Sequence, residues 1–99
     1  MLASQIERGE RLIGMSSMVG NAQDFQVWRA QRRAWSIQAC RAVAEKRGSS
    51  TAQAFERVAG EAPCGGLLAE DLPLELQRVR EALDVLRSLA ERVPVAHGH

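Results

Sequence analysis

The side chains able to do covalent or acid–base chemistry are few in this chain and poorly placed for it. Its two cysteines, Cys40 and Cys64, lack the CxxC spacing of a zinc or redox site, and its two histidines, His97 and His99, stand at the far C-terminus. Cys64 is followed by Gly65 and Gly66 with no basic or histidine neighbour in sequence to favour a thiolate, so both cysteines read as ordinary reduced thiols. The carboxylate pairs Glu7/Glu10 and Glu81/Asp84 have helical spacing, which serves solubility and side-chain pairing on exposed faces. No histidine lies in the body of the chain, and there is no glycine-rich phosphate loop or nucleophile motif. The expectation is a protein with no catalytic residues, no cofactor and no metal.

What remains is chemistry of recognition. Residues 22–48 hold Arg29, Arg32, Arg33, Arg41, Lys46 and Arg47 against Asp24 and Glu45, a net +4. Residues 49–72 answer with Glu56, Glu61, Glu70 and Asp71 against Arg57, a net −3. On a helical wheel Arg29, Arg33 and Arg47 share one side, where they would meet a phosphate backbone or an acidic protein surface, or pair with the acidic segment as a solvated face. Arg32 is anomalous because it falls on the apolar side, between Trp28 and Trp35. A buried guanidinium needs a partner. Glu7, Glu10 or a carboxylate of the last helix would supply one, with the arginine stem packed on the tryptophans. Alternatively that face is exposed, and Arg beside Trp is the composition of an interface hot spot.

These residues must be positioned by helices. Leu2, Ile6, Gly9 and Ile13, joined by Leu12, form one apolar face of a first helix over about residues 2–18, which Gly20-Asn21 stops. Gly9 lies inside that stripe, where a missing side chain lets a large neighbour such as a tryptophan come close. A second helix over about 23–47, capped by Asn21 or Asp24 and closed by Gly48, puts Phe25, Trp28, Trp35, Ala39, Ala42 and Val43 within an arc of about 100°, the width of a core-facing stripe. Ser50 and Gln53 have capping-box spacing at the head of a short third helix with Ala54, Phe55, Val58 and Ala59 on its apolar side. Residues 61–72, with Pro63, Gly65 and Gly66, read as a loop pinned by Leu67, Leu68 and Leu72. A fourth helix begins around Pro73 and ends at Pro94, with Leu76, Val79, Leu83, Leu86, Ala90 and Val93 alternating at three and four residues. That seam packs within the chain, on the first two helices, more readily than as a three-heptad zipper between chains.

The predicted fold is therefore all-α: a compact up-and-down bundle of three long helices plus one short one, a single domain over 1–94 with a frayed tail over 95–99. A hydrophobic fraction of 45% and a charged fraction of 25% fit an ordinary globular domain and exclude a disordered or fibrous chain. No apolar run reaches the roughly 20 residues of a membrane span, and Glu7, Arg8, Glu10 and Arg11 interrupt any signal-peptide core. A soluble, cytoplasmic protein with no membrane partner is the expectation.

With these positions assigned, the pattern resembles a small helical domain found in bacteria at the N-terminus of proteins with TIR-like or other nucleotide-related effector domains, many of them linked to phage defence. The features that carry the likeness are Leu2-x3-Ile6-x2-Gly9-Glu10-x-Leu12, Phe25-x2-Trp28, Trp35, Gly48-x-Ser50, Phe55-x2-Val58 and Val79, Leu83 and Leu86 in the last helix, over about residues 2–93. The resemblance implies an accessory role beside an effector, although this chain ends where such an effector would begin.

The function expected is a non-enzymatic contact with a protein partner, as an adaptor, inhibitor or assembly module, self-association as a homodimer being one form of it. Its surface is expected around Trp28, Arg29, Arg32, Arg33 and Trp35. The alternative is nucleic-acid binding by the second helix or by a helix-turn-helix of the second and third. A net charge of +1 and a third helix offering mainly Thr51, Gln53, Glu56 and Arg57 make a poor set for phosphate contacts.

Overall fold

The computed structural model describes residues 2–60 and 68–91. Four α-helices follow one another: α1 (Leu2–Met15), extended by a 3₁₀ turn (Ser16–Met18), α2 (Ala22–Arg47), α3 (Ser49–Ala59) and α4 (Leu68–Glu91). No strand occurs among the described residues. The all-α bundle expected from the sequence is the fold. The expected loop over residues 61–67, including Cys64, the expected end of the fourth helix at Pro94 and the expected tail over 95–99 lie outside the described residues.

Helix boundaries follow local chemistry. Asn21 caps α2, its side chain accepting from the backbone N–H of Asp24 at 2.8 Å. Gly48 ends α2 with φ of +92°, a backbone conformation that penalises a Cβ, and its own N–H returns to the carbonyl of Ala44 at 2.9 Å. Gly48 also caps α3, and no side chain does so. The capping box expected from Ser50 and Gln53 is therefore not formed, because the helix starts one residue earlier and places Ser50 inside its first turn.

α4 begins at Leu68, five residues before the start expected at Pro73. Leu68 and Leu72, one turn apart, both pack against the core, and Glu70 and Asp71 occupy the first turn, where the helix dipole favours negative charge. Pro73 thus stands inside the helix, where it has no N–H to offer the carbonyl of Ala69.

The helices alternate in direction. Trp28 meets Leu12 and Trp35 meets Gln5, so α1 and α2 are antiparallel. Arg32 meets Ala59 and Cys40 meets Ala52, so α3 runs back along α2 rather than crossing it at the roughly 90–120° of a helix-turn-helix. Arg29 meets Glu75 and Arg47 meets Leu89, so α4 runs parallel to α2.

The core side of α2 is the one the wheel indicates: Phe25, Trp28, Arg32, Trp35, Ala39, Ala42 and Val43 are its buried residues. The stripe of α1 holds at Leu2, Gly9 and Leu12, but Gln5 and Ser16 are buried as well while Ile6 and Ile13 only flank the core. Trp35 passes over α1 at Gly9, and both indoles donate to carbonyls of this helix. On α4, Val79, Ala82, Leu83, Leu86 and Leu89 are buried and Leu76 is half-buried. This seam is occupied inside the chain, chiefly by α1 and α3.

Candidate functional site

The residues expected to form a partner surface fall into two groups. Trp28, Trp35 and Arg32 are 3%, 1% and 0% exposed, so they are core residues of this chain, and at most a ring edge of either tryptophan reaches the surface. Arg29 is half-buried and Arg33 exposed, both on the flank of α2 that faces away from α1.

The buried three form a connected interior. Each indole N–H donates to a carbonyl of α1, Trp28 to Leu12 and Trp35 to Gln5, both at 2.8 Å. Between them Arg32 turns toward α3 and α4. Its Nε lies 3.0 Å from Oε1 of Glu75, and its two terminal nitrogens donate to the carbonyls of Ala59 at 2.6 Å and Gly60 at 3.0 Å. One guanidinium therefore closes the C-terminus of α3, where positive charge is favoured, and binds the fully buried carboxylate of α4. Arg29 adds a second donor to Glu75, 3.2 Å from Oε2, and its guanidinium lies 5.9 Å from the centre of the Phe25 ring. Of the partners considered for Arg32, the helix-4 carboxylate is the one present. The signal that marks it is a glutamate four residues before Val79, extending the core stripe of α4 back by one turn.

Cys40 is half-buried, its Sγ 3.6 Å from the carbonyl of Ala52. Burial, and then the nearby charge of Glu56, push its thiol above the usual range. That is the reverse of nucleophile activation. Among the described residues no group of three or more His, Cys, Asp or Glu side chains converges to hold a metal ion. None of the described helices is long and apolar enough to cross a membrane.

The surface feature that sequence reasoning missed lies on the opposite flank of α2, along its seam with α1. Met18 is 80% exposed, Val27 57% and Met15 38%, and all three border one shallow hollow of about 250 Å³ that reaches down to the edge of Trp28. A second hollow of about 250 Å³ continues along the seam toward the start of α1, between Arg8, Arg11 and Met15 on one side and Gln31 and Ala34 on the other, with Trp35 at its base. Met15 and Gln31 line both hollows, so the two are parts of one face. At its far end Arg8 donates to the side chain of Gln38. The available sequence signal was Val27, an apolar residue off the core arc of α2, together with the methionines at the end of the first helix.

This face offers apolar contact, pliable thioethers and a charged margin, and no nucleophile, acid–base pair or ligand cluster. No family model matches the chain, and neither a curated protein nor a solved structure is found to match it.

Proposed function

We propose that this protein is a non-enzymatic protein–protein interaction module, an adaptor, inhibitor or assembly domain, that works through the α1–α2 face. The observation that carries the reading is the exposure of Met15, Met18 and Val27 around a single hollow, whereas the other exposed large apolar side chains among the described residues, Ile37 and Leu74, stand outside it. Scattered exposed apolar residues are ordinary, whereas a group of them rimmed by polar side chains marks a contact surface. Arg8 and Arg11 at one end and Asp24 at the other supply that rim. The accessory role beside an effector that the resemblance implies is the setting we propose for such a contact.

The reading is tested by placing a photo-crosslinking amino acid at Val27 in the full chain expressed in its native host, with the same residue at the exposed Arg80 of α4 as control. A discrete adduct at position 27, absent at position 80 and lost when Met18→Glu is added, is expected. Equal crosslinking at both positions, or none at 27, would overturn it.

A further inference from the structure

The α1–α2 face has the dimensions of a seat for one helix. From Arg8 to Met18 it spans ten residues of helical rise, about 15 Å at ~1.5 Å per residue. Its width is that of two helices packed ~8–10 Å apart. A patch of this size presents roughly 300 Å², well short of the ~800 Å² that each copy contributes to a stable dimer. A second copy of this chain therefore does not find enough surface here, but a single helix of about three turns does.

The relief points the same way. The two hollows lie in line along α1, one lined by Arg8 to Met15 and the next by Met15 to Val19. The middles of those stretches stand about 8 Å apart along the axis, between the ~6 Å rise of an i,i+4 pair and the ~10.5 Å of an i,i+7 pair. Helices laid in grooves use that spacing for their apolar anchors. Met15, shared by both hollows, and Met18 are unbranched and adapt to the shape of an inserted side chain.

Charge sets the direction. Arg8 and Arg11 line one hollow and Asp24 the other. Among the described residues Arg11 pairs with Glu7, at 3.6 Å, with both side chains more than two-thirds exposed. Such a pair leaves the basic end open to a competing anion.

Resting on the interaction reading above, we propose that the occupant of this face is a single amphipathic α-helix of a partner protein. It inserts two apolar side chains one to two turns apart into the hollows and sets a carboxylate against Arg8 and Arg11.

The probe is a yeast-displayed library of 14-residue helix-forming segments, sorted on the purified full chain and counter-sorted on a Met18→Glu/Val27→Glu variant shown by circular dichroism to stay folded. The expected clones carry apolar residues at i,i+4 or i,i+7 with Asp or Glu at one end, and lose about tenfold or more in affinity on Val27→Glu alone, as for a central anchor. Reversing the charge with Arg8→Glu/Arg11→Glu should select clones with a basic end instead. Face-dependent clones without helical spacing overturn the helix, as does a dimer by light scattering that Val27→Glu dissociates. Both of those outcomes leave the interaction reading standing. Absence of any enrichment on the folded chain overturns the helix as well, and whether the interaction reading falls with it is read separately from crosslinking at position 27.

Discussion

A Cβ on Gly9 would stand 2.7 Å from Cζ2 of Trp35, closer than real side chains approach. The bare Cα lets the indole pass over α1 and donate to the carbonyl of Gln5, one turn earlier, at 2.8 Å. The same Cβ would lie 2.6 Å from Cδ2 of Leu83, so Gly9 is where α1, α2 and α4 come together.

Gly9→Ala is expected to destabilise the fold by about 1–2 kcal/mol, since overpacking of ~1–3 kcal/mol outweighs the gain in helix propensity. Gly14 is the control: nothing lies within 4 Å of a Cβ there, so Gly14→Ala is expected to stabilise by roughly 0.5 kcal/mol. Urea denaturation of the two variants checks both signs, and a stabilised Gly9→Ala would contradict the packing.

Arg32 and Glu75 are both fully buried, so removing either leaves the other uncompensated. Arg32→Met or Glu75→Leu alone is expected to cost about 3–5 kcal/mol, and the double variant to recover a large part of the loss. Recovery stays incomplete because the carbonyls of Ala59 and Gly60 also lose their donor. A thermodynamic double-mutant cycle measures the coupling; strictly additive losses would mean that the two charges do not depend on each other.

Trp28 and Trp35 are expected to give the native protein a blue-shifted emission that acrylamide quenches poorly, because both rings are almost wholly buried. Replacing either by Phe removes an indole donor and some core volume, at a cost of about 2 kcal/mol each. Denaturation followed by circular dichroism, with quenching of the remaining tryptophan, checks the prediction. A native tryptophan as accessible as free indole would refute it.

The Cys40 thiol should ionise above its usual range, owing first to burial and then to Glu56. The native state then holds the proton more tightly than the unfolded chain. Its contribution to stability is complete below the unfolded thiol value of about 8.5 and is lost as pH rises through the higher folded value. In a Cys64→Ser variant, alkylation of Cys40 at pH 8.5 should be slower than that of an unstructured peptide thiol, and Glu56→Gln should speed it. Equal rates for the folded protein and the peptide would refute the shift.

Much of the architecture was legible in residue spacing because helices bury one side and expose the other. The whole core stripe of α2 was readable, including the misplaced charge of Arg32, as was the special position of Gly9. Less visible were features set by neighbours. The burial of Gln5 and Ser16, with Ile6 and Ile13 only at the margin, depends on how the other helices pack on α1, which apolar periodicity in α1 does not encode. Glu75 looked like one more helical carboxylate until a buried arginine faced it. The surface reading suffered most: Trp, Arg and Trp in succession compose an interface hot spot and a polar core equally well, and only the packing of α3 and α4 decides between them. Met15, Met18 and Val27 drew no notice because exposed apolar residues acquire meaning only when the fold gathers them.

The two indole–carbonyl bonds are spaced alike on both helices, seven residues from Trp28 to Trp35 and seven from Gln5 to Leu12. A slip of α1 along α2 by one turn would break both at once and drive Trp35 away from the notch at Gly9. The alignment of this hairpin is thus written into the helices themselves, and does not depend on the turn that joins them.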